Sequence, residues 1–177
     1  MLNEYFDAMV EVVFAHGGTL DKFLGDGLMA VWGTPVQSLD DAERAVRAAN
    51  AMRIALRDTV NEARLARGET PLSVGYGIAT GRVVAGAMGA RRRLDFTVIG
   101  DTVNLSSRLC GQARPGQVLI DEATEKAMRG SGIVSIGLEP RQVKGVARPV
   151  PVFDVELDDD DTANATTSME LPILART

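Results

Sequence analysis

The feature that most constrains the fold is a change of hydrophobic period. Between Thr19 and Trp32, two short apolar runs flank Gly25-Asp26-Gly27, and a DG pair in that setting signals a tight β-hairpin. From about Asp40 to Arg67, the apolar positions Ala45, Val46, Ala49, Met52, Leu56 and Val60 recur at helical spacing instead. A chain that passes from hairpin to long helix and back to strands predicts a mixed α+β sandwich, not a strict parallel βαβ repeat.

The flanking segments extend that pattern. Leu2, Tyr5, Phe6, Met9, Val10 and Val13 give residues 2–15 an amphipathic helical stripe, stopped by His16-Gly17-Gly18. Residues 19–24 and 28–32 are the two hairpin strands, closed by Gly33-Thr34-Pro35. Asp40 and Asp41 suit the positive end of the long helix, and Gly68 and Pro71 mark its stop. Residues 73–80 and 82–88 alternate like a second hairpin turned near Gly81. A strand is expected at 95–99, a helix at 102–112 entered through Gly100-Asp101, a strand at 118–120 and a short helix at 122–128. A final strand pair falls at 133–138 and 150–155. From Asp158 onward a charge block and small polar residues carry no period, so residues 1–157 read as the domain and 158–177 as a disordered tail.

Composition narrows the chemistry. With 177 residues the chain is large enough for one core without disulfides. One cysteine, Cys110, and one histidine, His16, leave little room for a Cys/His metal cage or a Ser-His-Asp or Cys-His nucleophile. Metal chemistry would have to run on carboxylates, which favours Mg²⁺, Mn²⁺ or Ca²⁺. A net charge of −5 argues against a general nucleic-acid or anionic-membrane surface. No apolar run is long enough to span a bilayer, and the N-terminus lacks the basic region of a signal peptide. The segment is expected to be cytoplasmic and without direct membrane contact.

Three sets of residues invite chemistry. Asp26, between two glycines at a hairpin tip, lets a phosphate or metal approach the backbone, and it serves equally as a turn former. Lys22, four residues earlier, has the parity to share its face; alone it reads as a solvated strand lysine. Asn104 and Arg108 are one helical turn apart, so an amide and a permanent cation lie side by side, ready for a ribose and a phosphate or simply solvated. Lys144-Gly145 offers a point charge to a phosphate, or protects a sheet edge. Arg91, Arg92 and Arg93 form a basic loop. Cys110 is expected as a small buried apolar group, Trp32 and the methionines as core, and His16 as part of the helix stop.

Taken in order, NEYFDAMVEVVFAHGGTLDKFLGDGLMAVWGTP, DDAERAVRAA, GIATGRVVAGAMG, DFTVIGDTVNLSSRL and KGVARPVPVF resemble the catalytic domain of class III nucleotidyl cyclases, from about Leu2 to Val155. That resemblance implies a ferredoxin-like α/β sandwich and the cyclisation of a nucleoside triphosphate. The ribose 3′-oxygen attacks the α-phosphorus in line, and two Mg²⁺ or Mn²⁺ ions held by two aspartates assist. It also implies a homodimer with sites at its interface, one copy supplying the metal aspartates and the other the base, ribose and phosphate contacts.

Matched motif to motif, Asp26 resembles the second metal aspartate, and Lys22 and Thr97 resemble the purine-selecting pair. A lysine donating to N1 and a threonine accepting from the 6-amino group suit adenine, so ATP and 3′,5′-cyclic AMP are the implied substrate and product. Asn104 resembles the ribose-orienting residue, Arg108 the transition-state arginine, Lys144 the phosphate lysine and Arg93 a further phosphate contact.

One departure stands out. The family's first metal aspartate lies on a strand before the opening helix, and no such segment is found here, so the fold is expected to be truncated at its first strand. The alternative reading is therefore a catalytically impaired, nucleotide-binding or dimerising regulatory domain. A palm-type diguanylate cyclase would need a GG(D/E)EF turn, where this chain has LGDG at 24–27.

Overall fold

Helical and strand periods separate as expected in the computed structural model, which describes residues 2–90, 93–142 and 148–156. Helix α1 (Leu2–Ala15) buries Tyr5, Met9 and Val13, while Leu2, at the edge of the stripe, stays exposed. Its stop is a packing feature as well as a turn. A Cβ on Gly18 would lie 2.6 Å from the Trp32 ring, and the Trp32 indole donates to the His16 carbonyl at 2.9 Å.

Strands β1 (Thr19–Leu24) and β2 (Gly27–Val31) form the first hairpin, with Leu24 opposite Gly27 and a Gly25-Asp26 turn between. Gly25 takes a positive φ of 67°, which a glycine adopts without steric cost. The register slips between Leu20 and Lys22, leaving Asp21 as the extra residue of a β-bulge. The long helix follows as α2 (Asp41–Ala55), a π-helical segment (Leu56–Asn61) and α3 (Glu62–Ala66). All six apolar positions named from its periodicity are buried.

The second hairpin differs from expectation. Strand β3 (Tyr76–Ile78) runs parallel to β6 (Val118–Asp121), and the hairpin is formed by β4 (Val84–Ala90) with β5 (Arg93–Ile99). The chain cannot turn back at Gly81 because Thr80 is tied elsewhere. Its N–H donates to the Asp121 carboxylate at 3.2 Å, and its hydroxyl shares a 2.8 Å hydrogen bond with that of Thr124.

Helix α4 (Asp101–Cys110), α5 (Glu122–Ala127), β7 (Ser135–Arg141) and β8 (Val150–Val155) complete the described elements. The main sheet has the order β3-β6-β8-β7, and the final strand pair forms as predicted. Alternation in β6 splits the core: Val118 and Ile120 pack with Tyr76 against α1 and α2, and Leu119 packs with Val152 against Leu109 of α4. The result is an α+β sandwich. The expected tail at 158–177 and the boundary at 157 lie outside the described residues. Among the described residues no helix is long and apolar enough to cross a membrane.

Helix α4 can approach β3 only because residue 77 has no side chain. A Cβ there would meet the Cys110 backbone N at 2.1 Å and the Ser106 carbonyl at 2.5 Å. Gly77→Ala is expected to lower stability by about 3 kcal/mol, the upper end of overpacking costs, because the obstacle is helix backbone rather than a movable side chain. Denaturant unfolding monitored by circular dichroism reads this directly, and an unchanged midpoint would refute it.

Candidate active site

The bulge in β1 turns Asp21 inward. Its side chain is only 5% exposed and collects three donors. The Thr97 hydroxyl donates to Oδ2 at 2.9 Å, the Val98 N–H to Oδ1 at 3.3 Å, and the Lys22 ammonium stands 3.4 Å from Oδ2. Lys22 and Thr97, 75 positions apart in sequence, are thereby brought to one place. Sequence reading missed Asp21 altogether. The available signal was an aspartate inside an apolar strand, beside a lysine already singled out. Thr97 is itself buried on β5, opposite Gly86 of β4, where an added Cβ would meet nothing within 4 Å.

The two faces of β1 have different neighbours. The Phe23 ring packs on Phe6 of α1 with centroids 4.5 Å apart, so the adjacent Lys22 points to the opposite side. Asp26 is exposed in the turn. The alternation that predicted a shared face for Lys22 and Asp26 ends with the strand at Leu24, so the turn alone sets Asp26. Asp26 is also close enough to Tyr5 of α1 for its charge to matter. Burial first, then Cys110 and Asp26, push the Tyr5 phenol above its ordinary pKa.

Asn104 and Arg108 lie one turn apart on α4 as predicted, Asn104 exposed and Arg108 half-buried. Gly100, at φ 151°, lets the chain turn from β5 straight into the helix, and the Asn104 N–H donates back to the Gly100 carbonyl at 3.2 Å. Among the described residues no hydrogen bond or ion pair engages either side chain, and none links them to Lys22, Thr97 or Asp26 within the chain. Arg93 opens β5 opposite Ala90, but its side chain lies outside the described residues, as does Lys144.

Cys110 is exposed rather than buried as expected. Its sulfur still lies 3.4 Å from the Gly75 carbonyl, and desolvation there pushes the thiol pKa up, which keeps it protonated and a poor nucleophile at neutral pH. Apolar side chains crowd the outside of the hairpins: Phe23 and Leu24 on β1, Val84 on β4, and Leu94, Phe96 and Ile99 on β5 are all exposed.

A divalent-metal site can be tested against these side chains. Among the described residues no three His, Cys, Asp or Glu side chains cluster as a cage. The hairpin turn offers one exposed carboxylate, Asp26. That suits a single hard cation arriving with phosphate oxygens, but it does not by itself make a two-ion centre.

The family model described as the adenylate and guanylate cyclase catalytic domain matches residues 1–154. Adenylate cyclase 1 of Rhizobium meliloti (strain 1021) is 46% identical over 111 residues, 63% of this chain, and the chain spans 16% of that protein's length. The solved adenylyl cyclase CyaB from P. aeruginosa superposes with a TM-score of 0.86 at 36% identity, covering 90% of this chain and 82% of that one. The guanylyl cyclase Cya2 superposes at 0.80 with 38% identity, covering 90% and 80%. With a match that takes in nearly all of the described sandwich, the chain belongs to the family of adenylate and guanylate cyclase catalytic domains.

Proposed function

We propose that this domain converts ATP to 3′,5′-cyclic AMP and pyrophosphate. Relatives of both base specificities fit the fold, so the choice of purine rests on side chains. The observation that carries it is the convergence of the Lys22 ammonium and the Thr97 hydroxyl at Asp21. Adenine presents an acceptor at N1 and a donor at its 6-amino group, which complements a lysine beside a threonine. Guanine presents N1–H and O6 in the opposite sense. A lysine facing N1–H leaves both donors unpaired, at about 1–3 kcal/mol.

In the reaction the O3′–Pα bond forms, the bond from Pα to the bridging β-phosphate oxygen breaks, and the 3′-hydroxyl proton passes through water to the departing pyrophosphate. Arg108, without a partner among the described residues, is available to take up charge growing on the α-phosphate. Asn104, one turn before it on α4, orients the ribose. Lys144 and Arg93 serve the remaining phosphates. Asp26 would hold a Mg²⁺ or Mn²⁺ ion, which would supply charge neutralisation and a more acidic 3′-hydroxyl, and two ions per site are the family expectation.

The site is proposed to be shared between two copies of the chain. Lys22 faces away from α1, whereas the charge of Asp26 reaches Tyr5 of α1, a separation that suits two half-sites, and the exposed apolar residues of β4 and β5 supply a surface for a second copy to cover.

The test is to incubate the purified chain with Mn²⁺ and either ATP or GTP, with calorimetric nucleotide binding measured alongside. Cyclic AMP in clear excess over cyclic GMP is expected; an excess of cyclic GMP overturns the base assignment. The single carboxylate at the turn favours a second reading, a nucleotide-binding regulatory domain. ATP binding without product would establish that reading instead.

A further inference from the structure

A threonine hydroxyl can donate or accept, so Thr97 by itself does not discriminate a 6-amino group from a 6-oxo group. What fixes its sense is the carboxylate behind it. Asp21 is nearly fully buried, and its two oxygens are already assigned: Oδ1 to the Val98 N–H, which can only donate, and Oδ2 to Thr97 and Lys22. With the single Thr97 hydrogen committed to Oδ2 at 2.9 Å, only lone pairs are left for a ligand. The other acceptor in reach, the Val98 carbonyl, is at a longer 3.5 Å and would use the same hydrogen.

We infer that Asp21 is a specificity-determining positioning residue: it holds the Thr97 hydroxyl as an acceptor toward the purine and so selects a 6-amino over a 6-oxo base. The inference deepens the ATP reading above and rests on it. Asp21 does not touch the nucleotide. Its effect runs through the hydrogen of one hydroxyl, and the bulge that inserts Asp21 into β1 is what aims it there.

Asp21→Asn tests this with almost no change in size. The Val98 N–H still needs an acceptor, so the amide oxygen stays at Oδ1 and the NH₂ faces Thr97. That NH₂ donates to the hydroxyl and releases its hydrogen toward the base, where O6 of guanine can accept it.

The readout is the ratio of binding constants for 3′-deoxy-ATP and 3′-deoxy-GTP, which lack the attacking hydroxyl and cannot cyclise. The unmodified chain is expected to prefer the adenine nucleotide, and Asp21→Asn to lower that preference about tenfold. In a Thr97→Val background the same substitution should leave the ratio within about twofold, because the hydroxyl it acts through is gone. A fall in melting temperature with an unchanged ratio means a merely structural role and overturns the inference. An equal fall in ratio with and without the hydroxyl assigns the effect to Lys22 and overturns it too.

If the unmodified chain does not prefer the adenine nucleotide, the ATP reading itself fails and this inference with it. If Asp21→Asn does not fold, the unmodified chain is probed with 6-methoxypurine riboside triphosphate, which keeps the N1 acceptor but sets an acceptor oxygen opposite Thr97. It should bind about tenfold more weakly than purine riboside triphosphate, and equal binding overturns the inference.

Discussion

Lys22→Glu combined with Thr97→Cys is expected to move substrate preference from ATP toward GTP by about a hundredfold in kcat/KM. A carboxylate at position 22 accepts from N1–H of guanine and mismatches N1 of adenine. A thiol at position 97 offers a weak donor to O6. Two reversed contacts at about 1–3 kcal/mol each make a change of that order. The structure adds a complication that base-pairing logic alone does not contain. The Lys22 ammonium stands 3.4 Å from the Asp21 carboxylate, so the exchange replaces an ion pair with two like charges at close range. Asp21 would also compete for the introduced thiol hydrogen. The double variant should therefore be less stable than the unmodified chain, and adding Asp21→Asn should recover stability while completing the shift. Initial rates with ATP and GTP, beside a thermal melt, measure both effects. A folded double variant that still prefers ATP would show that Lys22 and Thr97 do not select the base.

Arg108→Ala is expected to lower kcat for cyclic AMP formation by about 10²–10³-fold, the usual loss when one donor to developing charge is removed. Binding of ATP should change only a few-fold, because the guanidinium is proposed to matter most in the transition state. Stability should hardly move, since no hydrogen bond or ion pair among the described residues depends on Arg108. Steady-state kinetics with a melting curve separate these effects. A collapse of folding, or a rise in KM with kcat unchanged, would assign Arg108 to scaffolding or ground-state binding instead.

Much of this architecture was legible in the sequence, for reasons that individual residues make clear. The long helix was readable because Ala45, Val46, Ala49, Met52, Leu56 and Val60 repeat a helical period that burial requires, and all are buried. The Gly25-Asp26 turn was readable because turn chemistry is local. Strand β3 was not. Its three residues pair with a parallel strand some forty positions away, and Gly81 gives a local turn signal that the Thr80 contacts with Asp121 and Thr124 override. Asn104 and Arg108 were visible because helical spacing places them. Asp21 was invisible because its role depends on a bulge and on a hydrogen bond that spans 76 positions, neither of which leaves a periodic trace. Cys110 looked like a core residue by type, yet α4 leaves it exposed at its last turn.

The shared-site geometry makes one quantitative demand. Asp26 of one copy and Arg108 of the other should act on the same triphosphate, so a chain lacking either is inactive alone and complementary in mixture. Asp26→Asn, which keeps a good turn former at the tip, and Arg108→Ala should each give little cyclic AMP. Mixed in equal amounts after dissociation and reassembly, half of the dimers carry one intact site, so activity should return to roughly a quarter of that of the unmodified chain. A mixture no more active than the sum of its two parts, from variants shown to fold and to exchange partners, would contradict a site built from two chains.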